Sequence, residues 1–510
     1  MTDRADVCLL LEGTYPYVRG GVAAWVHELI RGLPELRFAL AFIGDRPENH
    51  GPRRYELPDN VTELAHLYIM DGHQPPRPRR HAGDAGAFAA VERLHRWFHA
   101  PGEGGGCPMR GLLARLLGKR QGLSHADFLF AERAWAFIQA SYRRYATDPS
   151  FVDYFWTLRG IHGPVFRLAE QIGQVPEARA YHALSTGYAG LAGSLLHWRR
   201  QRPLLLTEHG IYTKERKIDL AQADWIQDSE DVFGAGLDGD LSYLRRLWIR
   251  FFEGLGRIAY DAADPILSIT ARNRARQIED GADPARTRVI HNGVDLERFL
   301  PLRDRRPAGV PQVVGFVGRI VPIKDVKTFI RAMRTVCTEA PEVEVWIAGN
   351  EDEDPQYAAE CHDLVAGLGL RERIRFLGFR PVEEVLPRLG VMVLSSISEG
   401  LPLAVLEAFA AGVPAVVTDV GACRDLIEGD GPEDHALGPA GAVVQIADPD
   451  ALAHEILALL GDPGRWQAAQ AAACERVVRH YDQRMVLQQY RELYREAVAR
   501  ADALPPAREA

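Results

Sequence analysis

Short, largely apolar runs separated by stretches of helical periodicity constrain this chain more than any other feature. In the second half, Val313-Val314-Gly315-Phe316-Val317-Gly318 opens a series that continues at 343–349, 374–378, 391–394, 415–418 and 442–444. Such runs lack the polar face of a half-exposed strand, so they read as strands buried on both sides by their own crossover helices, in parallel sheets. The first half repeats the rhythm at 7–11, 36–43, 178–183, 203–207, 265–270 and 288–290. At 510 residues the chain is too long for a single core. Residues 300–312, with Pro301, Pro307 and Pro311 among arginines and aspartates, read as the linker between two α/β domains, 1–299 and 313–481. The tail, 482–510, reads as a long helix able to cross back onto the first domain.

One interval departs from the rhythm. From about 71 to 150, Pro75-Pro76-Arg77-Pro78-Arg79-Arg80 and the glycines at 102 and 104–106 punctuate helical stretches such as 112–117 and 128–145, which marks a mainly helical insertion.

The most informative segment is Ser398-Glu399-Gly400-Leu401-Pro402-Leu403-Ala404-Val405-Leu406-Glu407, between the strands at 391–394 and 415–418. Pro402 suits the first turn of a helix and Gly412 its C-terminal end. Backbone N–H groups of Gly400 and Leu401 would then stand at a strand's carboxyl edge with the positive end of a helix dipole, where open α/β sheets bind anionic ligands. Glu407 lies ~8 Å further along at the helical rise per residue, in an otherwise apolar helix where a carboxylate needs a partner. Two carboxylates flanking an anion site suit a ligand with hydroxylated ends and a charged middle, such as a nucleotide sugar.

Arg319 and Lys324 follow the first strand of the second domain and would bring two cations to that phosphate position, where they can neutralise a diphosphate leaving group without a metal. Asp352-Glu353-Asp354 has Asp-x-Asp spacing but precedes Pro355, where acidic residues start a helix, so no metal ligation is expected of it. In the first domain Gly20-Gly21 marks a strand-to-helix turn open to a ligand, and His209 follows the strand at 203–207.

Composition removes other classes. Sixty basic against sixty-nine acidic side chains give a net charge of −9, which argues against nucleic-acid binding. The cysteines at 8, 107, 337, 361, 423 and 474 form no CxxC pair, so neither a zinc site nor a disulfide framework is expected. No segment has the length of a membrane span or a signal sequence, and a cytosolic location is the expectation, with any membrane association supplied by partners.

Glu399 with Glu407, Gly318-Arg319 with Lys324, Asn292-Gly293-Val294-Asp295 and Gly20-Gly21 resemble, in the same order, signatures of the retaining family 4 glycosyltransferases of GT-B fold. Leu10-Leu11-Glu12-Gly13 with Tyr15-Pro16, and Thr207-Glu208-His209-Gly210-Ile211-Tyr212, resemble more specifically the PelF group of Pel exopolysaccharide synthesis. The resemblance implies two Rossmann-like domains facing across a cleft. It implies a UDP-sugar donor, a growing polysaccharide as acceptor, no cofactor, and inner-membrane exopolysaccharide synthase subunits as partners. It gives Arg319 and Lys324 to the diphosphate, Glu407 to the ribose, Glu399 and His209 to the transferred sugar, and Gly20-Gly21 to the phosphates and acceptor; Asn292 belongs to a matching loop. Two other readings share such a cleft: a nucleotide-sugar epimerase, which needs no acceptor, and a non-catalytic nucleotide-sugar-binding subunit.

Overall fold

The computed structural model describes residues 4–18, 20–70, 81–100, 108–116, 123–147, 150–222 and 242–504. The chain divides into two compact units, Met1–Val289 with Tyr490–Ala510, and Ile290–Gln489.

The first unit holds seven strands: β1 (Ala5–Glu12), β2 (Phe38–Gly44), β3 (Val61–Tyr68), β4 (Ala178–Ala183), β5 (Leu204–Glu208), β6 (Ile266–Ser268) and β7 (Thr287–Val289). They pair in parallel in the order β3-β2-β1-β4-β5-β6-β7. The second unit holds β8 (Val313–Val317), β9 (Glu344–Ala348), β10 (Ile374–Gly378), β11 (Val391–Leu394), β12 (Ala415–Thr418) and β13 (Gly441–Val444), in the order β10-β9-β8-β11-β12-β13 and again parallel. Both sheets therefore change their direction of winding beside their first strand. The gaps between β1 and β4, and between β8 and β11, are the topological switch points at which loops diverge and leave a crevice.

The expected α/β architecture of two Rossmann-like sheets is present. One strand was not expected: β3 has only Leu67 fully buried, at the edge of its sheet, and carries Glu63 and His66 where an interior strand would be apolar. Between β3 and β4 stand helices Ala85–His99, Met109–Leu116, His125–Phe130, Glu132–Tyr145 and Phe151–Gln171, so the helical stretch runs beyond residue 150. The proline-arginine run at 75–80 and the glycines at 102–106 lie outside the described residues. A single helix was expected over 128–145, but Ala131 takes extended backbone and ends one helix as it starts the next.

The proline-rich segment 300–312 lies downstream of the division between the units. Its first residues form the 3-10 helix Leu300–Arg305, and Arg303 Nε donates to Ala410 O at 2.8 Å while Arg306 donates to Leu389 O at 2.8 Å. That stretch is thereby fastened to the second unit. Helix Gln483–Asp502 covers most of the expected tail, of which 505–510 lie outside the described residues, and its residues from Tyr490 group with the first unit. There Tyr494 Oη bonds His182 Nδ1 at 2.7 Å and Arg202 donates to Ala501 O at 2.9 Å. Among the described residues no helix is long and apolar enough to cross a membrane.

Candidate functional site

In the second unit the loops leaving β8 and β11, neighbours at the switch point, are laced together. Lys324 closes the short turn Pro322–Lys324 after β8 and sets Nζ 2.5 Å from Glu399 Oε1. Ser396 Oγ donates to the same carboxylate oxygen at 2.6 Å, Ser395 Oγ donates to Lys324 O at 3.0 Å, and Ile397 N donates to Ile323 O at 2.9 Å. The Lys324 and Glu399 side chains are only 18% and 11% exposed, so this pair is poorly screened by water. Directly after the lysine, Asp325 adopts φ 42°, uncommon for a residue with a side chain, and caps helix Val326–Glu339 by accepting the Thr328 N–H. That turn fixes Lys324 at the helix start.

Helix Leu403–Ala410 begins one residue later than expected, with Pro402 as its cap, and the chain leaves it through Gly412 at φ 76°. Gly400 O accepts from Ala422 N at 2.9 Å. At Gly421, φ is 55° and a Cβ would lie 2.2 Å from Glu399 O and 2.5 Å from Gly400 O, so only glycine lets the 399–401 backbone press this closely. Because a trans peptide points its N–H opposite to its C=O, the Gly400 and Leu401 N–H groups turn away from that contact. They donate to no group among the described residues. A lysine, a turn of outward backbone donors and a helix N-terminus on one side of the switch point form an anion-binding arrangement.

Glu407 is the fifth residue of that helix, and its carboxylate accepts no hydrogen bond among the described residues. Burial pushes its carboxyl up to about 7, with the Glu383 charge acting in the same direction and Arg298 opposing both. Arg298 is already committed, donating from Nε to Glu383 Oε1 at 2.6 Å, and Glu383 Oε2 is buried without a partner among the described residues. Arg319 forms a half-exposed ion pair with Glu353. Asp354 caps helix Pro355–Gly367 by accepting the Tyr357 N–H at 3.0 Å, so two of the three acidic residues are spent on a cap and an ion pair. Among the described residues no group of three or more His, Cys, Asp or Glu side chains is gathered to hold a metal ion.

Lys324, Glu399, Gly400 and Leu401 are brought together, with Glu407 on the helix they open. Asn292 is not bonded into this group. It is 6% exposed, with Oδ1 unsatisfied, where 292–295 runs against 481–483 through Val294 N to Tyr481 O at 2.8 Å and Gln483 N to Val294 O at 3.1 Å. Ser395, Ser396, Arg298 and Glu383 were not singled out from sequence, and Glu353 was read only as part of an acidic triplet that starts a helix. The two serines did carry a signal: they directly follow the apolar run Val391-Met392-Val393-Leu394, at the carboxyl end of a strand.

In the first unit, Gly20 and Gly21 open helix Gly21–Gly32 after β1. Gly20 is extended (φ 170°), and a Cβ at either position would meet nothing within 4 Å. Neither conformation nor packing therefore requires glycine there. His209 follows β5 with its ring 4.5 Å from that of Trp25. The carboxylates beside these residues are structural. Buried Glu208 accepts from Tyr260 Oη at 2.7 Å, Thr186 Oγ1 at 2.9 Å and Gln277 Nε2 at 3.0 Å. Glu12 accepts from Tyr212 Oη at 2.8 Å and Ala189 N at 3.1 Å, tying β1 to the helix after β4.

Residues 5–285 match a domain of unknown function (DUF3492), and residues 311–462 match glycosyl transferases group 1. A D-inositol 3-phosphate glycosyltransferase of Corynebacterium urealyticum is 30% identical over 252 residues, covering 46% of this chain and 57% of that protein. Alpha-maltose-1-phosphate synthase of Mycolicibacterium smegmatis is 26% identical over 367 residues, 67% of this chain and 86% of that protein. The chain thus spans less than two thirds of the first relative's length. Sucrose-phosphate synthase of Thermosynechococcus elongatus superposes with a TM-score of 0.58 at 18% identity, over 97% of this chain and 99% of that one. Anabaena HepE in complex with UDP and glucose gives 0.55 at 14% identity, over 96% and 99%. At these identities the structures establish the fold, which is GT-B. With DUF3492 over more than half its length, this chain belongs to that family, and it carries a glycosyl transferases group 1 match behind it.

Proposed function

We propose that this protein is a retaining glycosyltransferase that moves a sugar from a UDP-sugar to a growing exopolysaccharide of the Pel type in the cytosol, with inner-membrane synthase subunits as partners. The observation that carries the reading is the Lys324–Glu399 pair beside the outward Gly400 and Leu401 N–H groups, on the loop that opens the helix bearing Glu407. Lys324 and those N–H groups receive the diphosphate, with Arg319 adding a second cation. Glu407 accepts hydroxyl donors from the ribose, the partner its environment lacks. Glu399 and His209 face the transferred sugar. The uridine nucleotide is read across from the HepE structure holding UDP and glucose.

In the reaction the bond from the anomeric carbon to the β-phosphate oxygen breaks, and negative charge develops on that oxygen. Fixed cations and N–H groups aimed at it stabilise the transition state more than the ground state. The acceptor hydroxyl oxygen bonds the anomeric carbon on the same face, and its proton passes to the departing phosphate. No carboxylate nucleophile is invoked, since Glu399 Oε1 is held by Lys324 and Ser396.

Purified protein incubated with a panel of UDP-sugars, with and without oligosaccharide acceptors, tests this. Acceptor-dependent UDP release with a product of unchanged anomeric configuration is expected. Acceptor-independent appearance of a rearranged sugar nucleotide would instead identify an epimerase, and binding without turnover a sensor subunit.

A further inference from the structure

Trp25, the fifth residue of helix Gly21–Gly32, stands between two other rings of the first unit. It meets His209 edge-on at 4.5 Å and 69°, and Tyr490 edge-on at 5.2 Å and 71°. Tyr490 is itself fixed: its hydroxyl bonds Thr207 Oγ1 at 3.2 Å, two residues before His209 on the same chain segment. Thr207 Oγ1 also bonds His182 Nε2 at 2.8 Å, and His182 Nδ1 bonds Tyr494 Oη at 2.7 Å. Thr207, His182, Tyr490 and Tyr494 are all at most 1% exposed. Burial holds the His182 imidazole down at about 3, with His209 pushing in the same direction, so it stays neutral and uses one ring nitrogen as donor and the other as acceptor. The network is closed at every buried member.

His209 sits beyond the end of β5 and is only partly buried. A histidine in such a loop can rotate about two side-chain bonds unless something blocks it. The edge of Trp25 limits that rotation from one side, and Trp25 is itself backed by Tyr490 and, through Thr207, by the strand that precedes His209. We infer that Trp25 and Tyr490 are positioning residues for His209, with the C-terminal helix acting on it through the Tyr490 ring. This rests on the reading of His209 as a group facing the transferred sugar.

A double-mutant cycle separates the two claims, using the full chain and the UDP-sugar that gives turnover. His209→Ala is expected to lower kcat; if it leaves kcat unchanged, the reading of His209 itself fails. Where His209→Ala does lower kcat, Trp25→Leu is expected to reduce it by roughly tenfold to a hundredfold, the scale of a misplaced active-site group, with the donor KM within about twofold. In the His209→Ala background Trp25→Leu then has no further effect on kcat, because the group it orients is gone. Trp25→Phe keeps an aromatic edge and restores most of kcat, and Tyr490→Phe, which keeps the ring but not the hydroxyl, falls between. Multiplicative losses in the double variant, or a Trp25→Leu effect confined to KM, overturn the positioning role.

Discussion

Glu407 is a carboxylate whose environment disfavours its charge, and the proposed ribose contact gives that an observable consequence. Its folded pKa is pushed up to about 7, principally by burial. Hydroxyl donors favour the ionised form, so donor binding stabilises the state that the empty environment opposes. Affinity should therefore be full above pH 7 and weaken as pH falls below it, by up to ~tenfold per pH unit. Calorimetric titration with a UDP-sugar, whose phosphodiester groups do not titrate in that range, checks it. Glu407→Gln should bind more weakly at pH 8 and show a flat profile; an equally steep profile in that variant would assign the titration to another group. The two cations differ in the same physical terms. Lys324 is largely buried against Glu399, whereas Arg319 is half-exposed and screened. Lys324→Ala should lower kcat by ~10²–10³, the cost of removing a preorganised charge at a developing oxyanion, and Arg319→Ala by less. Equal losses in steady-state rate would mean that Arg319 contributes as much to the diphosphate as Lys324 does.

Helices Ala85–His99 and Phe151–Gln171 are joined by histidines. His95 Nδ1 lies 3.2 Å from His162 Nε2, and His95 Nε2 lies 3.3 Å from His99 Nε2. Burial lowers all three, His162 to about 3 and His99 to about 4, and the His162 and His99 charges lower His95 further. An imidazole depressed in the folded state is protonated first in the unfolded chain. Stability present above the ordinary value of ~6.5 is therefore lost as pH falls below it, at up to ~1.4 kcal/mol per pH unit for each histidine. Thermal melting followed between pH 7 and 5 should show a falling midpoint, and His162→Leu should make that fall shallower whatever it does to the midpoint at pH 7. An unchanged slope would place the acid sensitivity elsewhere. The insertion was read as mainly helical, but neither of these two helices was named from the sequence and their histidine contacts could not be, since 95 and 162 meet only through packing. The missing strand has a comparable cause. β3 lies at an edge, so most of its side chains need not be apolar, and no apolar run betrays it.

Across the whole chain, what could be read from sequence was whatever a single strand-helix turn encodes. Glu399, Gly400, Leu401 and Glu407 lie within nine residues, and their spacing on one helix start was visible without any tertiary information. That Lys324 would close on Glu399 was not, because the pair is 75 residues apart and depends on β8 lying beside β11, a property of strand order. Glu353 likewise reaches Arg319 only because β9 lies beside β8, whereas Ser396 meets Glu399 locally, three residues away. Hydrogen exchange read by mass spectrometry tests the assembled site at this scale. A UDP-sugar at a hundredfold excess over its Kd stabilises the structure that binds it by ~2.7 kcal/mol, which slows exchange through opening by ~100-fold. Slowing should concentrate in peptides covering 318–325 and 396–407, where the Gly400 and Leu401 N–H groups are bonded directly by ligand. Peptides covering 85–99 and 151–171 should exchange at unchanged rates. Lys324→Ala should abolish the protection at 396–407 at the same ligand concentration. Protection absent from 396–407 in the unaltered protein, with donor demonstrably bound, would remove the phosphate from this helix start and the proposed chemistry with it.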